Sequence, residues 1–590
     1  MKKLQMLGIA LLCAMLIANF SFAGEIHKIS IEEAQAIEQL PQDYFPDGAP
    51  SQPSIPYQDD TQDSPGLLVG KTFYDNQTNG STGDRISKHD CGIHICWMNG
   101  IANWTGERQI YYNFIDEEGT PFWGEDGTPV SSGQRDGYTT MDVKPDDGVP
   151  IIAFHSAVEG EYMTEVALDA GCGLGLFTSY NVPNDYPGFG PFIWPYVAYD
   201  NNGRIHITHS EWTGVAGEPH MQGHLYSEDL GNSWPHQESI EDLLDLSMIV
   251  VASHVDDKVA IVWTKPRTLV EPDQYNNDIA YVESGDGETW DYNNQVNITN
   301  YQASDTIRAY CDVDATYDTN GDLHIIWNTP YYNESEGTIS VDACFLWHWS
   351  EATGTTMIYN AWHPSFPGAW NRSASKMSIA IDAFNNVHVV WTHFDDIDVS
   401  AGGWSNGELY YANSEDLGAS WSDPVNLTQT ATPGCLPGDC DCDHYSTLAI
   451  QADDYLYITY IEDKDAGAVA QDEGAQTQNV VRFLQIENPL WIISGVDDNE
   501  AVPSEFSLAQ NYPNPFNAST SIDFVLDEAS NVTLKIYNLL GEEVAVLANG
   551  KMNAGEHSVK WDAADYTSGI YLYKLNANNV TETRRMVLLK

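Results

Sequence analysis

Asn320-Gly321-Asp322-Leu323-His324-Ile325-Ile326-Trp327 is a tight turn followed by a strand: Asn-Gly-Asp reverses the chain, then come an apolar residue, a histidine, two β-branched residues and a large ring. The same unit recurs at 92–97, 147–154, 202–209, 257–263, 386–391 and 454–460. Its final ring falls at Trp97, Phe154, His209, Trp263, Trp327, Trp391 and Tyr460, in steps of 54 to 69 residues. A second alternating run follows each copy, at 110–114, 162–166, 225–226, 279–282, 344–347, 409–412 and 481–484. Repeats of this length, each too small to bury its own apolar face, stack radially. The expectation is an all-β fold: a seven-bladed β-propeller over residues 68–488, with the repeated unit as the innermost strand of each blade. The run 67–74 is expected to supply the strand that closes the last blade onto the first.

Charge narrows the function classes. The 590 residues hold 25 Lys and Arg against 86 Asp and Glu, a net charge of −61. Nucleic acid and anionic membranes, which need cationic surfaces, are excluded as partners. An aromatic share of 12% excludes a disordered acidic chain. The acidity is local: residues 503–590 carry 7 basic and 10 acidic groups, so the excess lies before them.

Lys2 and Lys3 precede an apolar run from Leu7 to Phe20, and Ser21-Phe22-Ala23 supplies small residues, so a secretory signal peptide cut after Ala23 is expected. No other run is long enough for a transmembrane helix. Residues 24–66 form an acidic, Pro-rich lead-in, expected to be mobile or a pro-segment, with one helical hint at 31–38. Eight cysteines then remain, an even number that suits an oxidising compartment but allows many pairings. Cys435, Cys440 and Cys442 crowd one loop, where a local disulfide is expected.

Two stretches share Ser-x-Asp-x-Gly-x-Ser-Trp, with Asp229 and Trp234 in one and Asp416 and Trp421 in the other; Ser284 to Trp290 is a copy one residue shorter, with Asp286. In such a turn Asp accepts backbone N–H groups, Gly takes positive φ and Trp packs back onto strands. This resembles the Asp-box (BNR) repeat of the sialidase-like β-propeller superfamily. The resemblance implies a structural, outer-face role for Asp229, Trp234, Asp286, Trp290, Asp416 and Trp421. The sialidase Arg-Ile-Pro motif is missing; Arg85-Ile86-Ser87 is the nearest string, and the sialidases usually have six blades.

Arg135, Arg308 and Arg372 lie about ten residues before the turn aspartates Asp146, Asp318 and Asp382, and His444 holds the same place before Asp453. Entry to an innermost strand lies at one rim of the channel, so these four are candidate anion-binding residues; guanidinium forks fit carboxylates. At the other end of the same strands stand His155, Glu211, Lys265, His393, Glu462 and Asp463, candidate rim acid/base groups. His94, His206, His324 and His388 recur by blade and are expected to be structural. No catalytic or metal residue is assigned. No cofactor is required; calcium is a candidate, because Asp318-x-Asn320-x-Asp322 and Asp439-x-Asp441-x-Asp443 place oxygen donors at alternate positions.

After a linker at 489–502 the text changes. Asn511-Tyr512-Pro513-Asn514-Pro515-Phe516-Asn517, Ser568-Gly569-Ile570-Tyr571 and the terminal Lys590 punctuate short alternating strands, the pattern of an Ig-like β-sandwich. Residues 503–590 also resemble the C-terminal (type A) sorting domain of the type IX secretion system. That resemblance implies export through outer-membrane secretion machinery and a secreted or cell-surface location. Three functions stay open: binding of extracellular glycan or protein, a sialidase-like glycoside hydrolase or lyase, and a non-catalytic structural surface protein.

Overall fold

The computed structural model describes residues 26–38, 64–490 and 507–588. Breaks fall at 79, 104–105, 117–118, 134, 159–160, 185, 187–188, 212–219, 245–246 and 268–274, and in the last span at 509–510, 512–515, 527–529, 539–542, 553–554, 565, 568 and 578–579. The expected signal peptide lies outside the described residues. The chain divides into two compact units, Met1–Trp491 and Ile492–Lys590.

The described residues of the first unit build seven sheets in chain order, antiparallel except where Gln451–Ala452 pairs in parallel with the first strand of the sixth. The first sheet holds Ile86–His89, Gly92–Gly100, Arg108–Ile115 and Thr128–Pro129. The other six begin with Gly137–Val143, Phe192–Tyr199, Met248–Ala252, Val313–Tyr317, Ala374–Asp382 and Cys442–Leu448. These first strands pack side by side from sheet to sheet, and Ile86–His89 meets the seventh sheet, so the ring closes as in a β-propeller. Leu67–Thr72 pairs with Asn479–Glu487 as the outer strand of the seventh sheet, so the start of the ring completes its end. This is the closure expected of the 67–74 run.

The repeated unit is the second strand of each sheet and not the innermost one, which corrects the expectation for His94, His206, His324 and His388. The sheet begins with the preceding strand, whose buried, less periodic text (Met248–Ala252 is wholly apolar) hides its register. The second strand has neighbours on both edges and both faces. Trp97, Phe154, His209, Trp263, Trp327, Trp391 and Tyr460 are accordingly all at 0% exposure. Burying one such indole contributes about 4–6 kcal/mol as an upper bound. Gly70 of the closing strand lies on Trp97, where a Cβ would come within 2.3 Å of the indole.

The three Ser-x-Asp turns join third to fourth strands. Asp416 Oδ1 accepts from Ser420 N (2.8 Å) and Oδ2 from the Ser420 hydroxyl (2.6 Å), while Ser414 Oγ accepts from Gly418 N. Asp229 and Asp286 make the same bonds to Ser233 and Thr289. Each tryptophan reaches the preceding sheet: Trp421 edges His348, Trp290 meets His206 and His224, and Trp234 joins a cluster that spans Val166 and Tyr180 of the second sheet and Ile205 and Leu225 of its own. These turns staple neighbouring sheets together.

The lead-in, expected to be mobile, is packed over residues 26–38. Lys28–Ser30 pairs antiparallel with Ser340–Thr338 on the edge of the fifth sheet, and the Ser30 hydroxyl caps the helix Ile31–Ile37 by accepting from Glu33 N. Ala34 is wholly buried among Tyr275, Tyr310, Tyr332 and Ile339, which gives this short segment its anchor.

In the second unit, Ser507–Leu508, Ser519–Leu526 and Gly555–Asp562 form one sheet. Glu543–Met552, Ser530–Asn538, Gly569–Ala577 and Val580–Leu588 form another. Phe524, Leu534, Trp561 and Tyr573 belong to one shared core.

Candidate functional site

Because the repeat strand is second and runs antiparallel to the first, the two candidate sets meet at one rim. Gly137 pairs with His155, Phe192 with Glu211, Ala374 with His393 and Asp443 with Glu462. Arg135 and Arg372 each stand two residues before those first-strand partners. The groups expected at opposite ends of the strands therefore share the end where the innermost strands begin.

Four innermost strands bulge at the same point. Tyr138, Trp194, Lys376 and Tyr445 have φ of 51°, 55°, 54° and 54°, each where the pairing register skips. Left-handed backbone at such side chains is strained, and bulges of this kind re-aim side chains. Aromatic and lysine text does not advertise positive φ, so the sequence carries no signal for this ring. Residues 73–78 and 80–84 cross over it: Tyr74 meets the Tyr138 hydroxyl at 3.3 Å, Asn76 accepts from Tyr445 and Ser81 O accepts from Tyr196. Two narrow cavities remain beneath. One is lined by Asp75, Asn371, Phe394, His444, Tyr445 and Asp463; the other by Gln77, Thr82, Tyr138, Trp194 and Tyr196.

The four anion candidates have different fates. Arg308 is fully buried, donating to Asn276 Oδ1 (2.9 Å) and to the carbonyls of Gln302, Asp305 and Ile307, so its fork is occupied by its own loop. Arg135 sits between the first and second sheets, bridged to Arg108. His444 reaches Asn371 Oδ1 at 3.2 Å, and burial first, then Lys376 and Arg85, pushes its pKa well below the usual value, so it adds no positive charge.

Arg372 holds a carboxylate that is itself buried, whereas Arg308 reaches only the exposed Glu334, at 3.5 Å. Its Nη1 donates to Glu38 Oε1 at 2.8 Å, Tyr310 donates its hydroxyl to Glu38 Oε2 at 2.5 Å, and the guanidinium lies 4.1 Å over the Tyr310 ring. Arg372 Nε and Nη2 are buried without a hydrogen-bond partner. Glu38 follows directly on the lead-in helix, and its N–H closes that helix on Ala34 O. Sequence reasoning missed Glu38 and Tyr310; a pairing across 334 residues leaves no local pattern.

Among the acid/base candidates, Glu462 is held by Arg482 Nε at 2.5 Å and by Lys464, which itself pairs with Asp441. Glu462 is thus part of a buried ion network. Glu211 accepts from Gly190 N at 2.7 Å, and Lys265 donates to Gln295 Oε1. His393 packs on Tyr410 and His363, and burial pushes it down to about 3, leaving it neutral. His155 is the most suggestive: its Nε2 lies 3.4 Å from Arg108 Nη2 and its ring 5.3 Å from Tyr138. Beside them burial pushes Asp136 up to about 6.

The oxygen-rich calcium strings serve the chain itself. Asp318 Oδ1 accepts from the N–H of Asn320 and Asp322, and Asp443 accepts from Thr430. The crowded cysteine loop carries the expected local disulfide, Cys435–Cys440, and a second bond joins Cys91 to Cys172. Cys96, Cys311, Cys344 and Cys442 are buried thiols.

Comparison with solved structures finds low similarity. The crystal structure of polysaccharide lyase Uly1 is 13% identical, with 78% of this chain and 99% of that chain covered and a TM-score of 0.40. A Penicillium chrysogenum α-L-arabinanase complexed with arabinobiose is 10% identical (59% and 92% covered, TM-score 0.35). The Fusarium graminearum α-L-arabinofuranosidase Arb93A with an iminosugar inhibitor is 12% identical over the same shares, also at 0.35. At these scores they bear on no residue of this chain. No curated protein matches it. No helix among the described residues is long and apolar enough to cross a membrane. Residues 510–589 match the secretion system C-terminal sorting domain, so the chain ends in a type IX sorting domain and the protein is secreted or held at the outer-membrane cell surface.

Proposed function

We propose that this protein is an exported seven-bladed β-propeller, stapled by Asp-box turns and followed by an Ig-like sorting module, that binds an acidic extracellular glycan at the strand-entry rim. The observation that carries this reading is Arg372: a buried guanidinium that grips one carboxylate with Tyr310 and keeps two further donors unused. A guanidinium fork over an aromatic ring suits a sugar carboxylate, with the fork taking the oxygens and the ring the sugar face. The strongly negative surround repels acidic polymers in general, so recognition would be confined to this local cation.

In this reading Glu38 occupies the site until ligand displaces it, and the lead-in is an intramolecular competitor. Glycan-array binding of the chain from residue 24, beside a chain lacking residues 24–38, tests this. Uronate-bearing glycans should gain signal on truncation; a folded truncated chain that binds none of them would refute the assignment.

A second reading, a sialidase-like hydrolase or lyase, is favoured by the clustering of His155, Arg108 and Tyr138 under Tyr74. It predicts turnover of a fluorogenic sialoside or an unsaturated uronate product, lost in His155→Ala.

A further inference from the structure

The histidine that recurs in the second strand is wired the same way in three sheets. His206, His324 and His388 each point Nδ1 at a third-strand side chain, His224, His348 or Tyr411, at 3.2, 2.8 and 2.8 Å. Each points Nε2 at the turn aspartate that ends or follows the first strand: Asp200 at 3.2 Å, Asp318 at 3.8 Å and Asp382 at 3.4 Å.

His94 in the first sheet keeps half of this arrangement and departs in the other half. Its Nδ1 meets the Tyr112 hydroxyl at 2.7 Å, but its Nε2 faces sulfur: Cys91 Sγ at 3.9 Å and Cys172 Sγ at 3.7 Å. The three ligand atoms all lie within 4.8 Å of one another. His89 Nδ1 stands 3.1 Å from Cys91 Sγ. Cys172 comes from the turn between the third and fourth strands of the second sheet, the position from which Trp290 and Trp421 staple other sheets. Gly148 closes over the group: a Cβ there would meet Cys91 Sγ at 2.4 Å and His89 Nδ1 at 2.5 Å.

We infer that Cys91, Cys172 and His94 form a structural zinc site, completed by His89, which stands beside Cys91 outside the group of three and turns in as fourth ligand; the metal takes the place of the Cys91–Cys172 bond and staples the first two sheets. The donor set is two thiolates and two imidazoles, which zinc prefers in closed tetrahedral sites. With Zn–S of about 2.3 Å and Zn–N of about 2.0–2.1 Å, tetrahedral geometry puts S and N about 3.6 Å apart, close to what His94 shows toward both sulfurs. With Nδ1–H donated to the Tyr112 hydroxyl, Nε2 is left without a proton and faces the sulfurs, the outer-shell arrangement of a ligating histidine. Zinc binds the reduced pair before a disulfide forms: Zn²⁺ meets two thiols, their two protons leave to solvent, and no electron is transferred, whereas a chain already linked through Cys91–Cys172 first needs a two-electron dithiol reductant.

The test is made on the whole exported chain, purified without chelator or reductant. Zinc is measured by elemental analysis and the cysteines by alkylation in denaturant followed by peptide mass spectrometry. One zinc per chain is expected, with Cys91 and Cys172 both alkylated while Cys435–Cys440 stays linked as the internal control. Cys172→Ser is expected to lower zinc to under a tenth of an equivalent. A peptide pair joined through Cys91–Cys172, a zinc-free chain with both thiols free, or zinc retained in Cys172→Ser would each overturn the site. The first two outcomes need only the natural chain, so a variant that fails to fold does not protect the inference.

Discussion

Arg372 and Glu38 lie 334 residues apart and are joined by a 2.8 Å hydrogen bond in which both side chains are buried. The pair fastens the lead-in to the entry of the sixth sheet's first strand. Removing one member of a buried pair leaves an uncompensated charge and costs about 3–5 kcal/mol, far more than an exposed pair would. Arg372→Met should therefore destabilise the first unit by about that amount, and adding Glu38→Gln should restore much of it. Chemical denaturation of the single and double variants measures this; additive losses would show that the two do not act as a pair.

Trp391 is fully enclosed by its own sheet and its neighbours, and Trp97, Trp263 and Trp327 stand at the same repeat position. Trp391→Ala should cost about 3–5 kcal/mol. Calorimetry should show a clear fall in the melting temperature of the first unit, with that of the sorting domain unchanged.

Gly418 closes one Ser-x-Asp turn at φ 86°, and a Cβ there would sit 2.1 Å from the His348 ring of the preceding sheet. Gly418→Ala meets strained backbone and a buried side chain together, so a loss well above about 1 kcal/mol is expected. Gly434→Ala, at φ 77° with open space around it, should cost less. Equal melting temperatures would remove the stapling role.

Buried carboxylates give the fold an unusual alkaline limb. Burial pushes Asp443, Asp314 and Glu473 up to about 7. Between their ordinary values near 4 and about 7 the folded chain binds more protons than the unfolded chain, so stability falls as pH rises through this window. The buried imidazoles act the other way: burial pushes His209 and His393 down to about 3, so acidification below about 6.5 charges them only on unfolding and lowers stability. From pH 6.5 to 8 the carboxylates pull the melting temperature down while the unfolded chain's imidazoles, with ordinary values near 6.5, release their last protons and pull it up, so the drop due to Glu473 is read against its Gln variant. Glu473→Gln should flatten that drop; a profile unchanged by this substitution would contradict the assignment.

The ring of sheets was legible because its second strands carry their periodicity openly: turn, apolar residue, histidine, aromatic. The first strands were not legible, since runs such as Met248–Ala252 are buried on both faces and alternate with nothing. Mistaking second for first strands put His155 and Arg135 at opposite rims, although strand antiparallelism brings them to one. The Arg372 position was found by its spacing before Asp382, but its partner Glu38 sits in the lead-in, where acidic composition suggests mobility and gives no hint of docking on Tyr310. The bulges at Tyr138, Trp194, Lys376 and Tyr445 arise from packing in the ring, which no local residue preference announces.

The most direct test of the rim site is calorimetric titration of a hexuronate oligosaccharide into the chain from residue 24, its Glu38→Gln variant and the Glu38→Gln/Arg372→Met double variant. The account predicts at least tenfold tighter binding when Glu38 is neutralised and loss of that gain when Arg372 is also removed. A folded Glu38→Gln chain that binds no tighter than the natural one, or a double variant that keeps the gain, would contradict it.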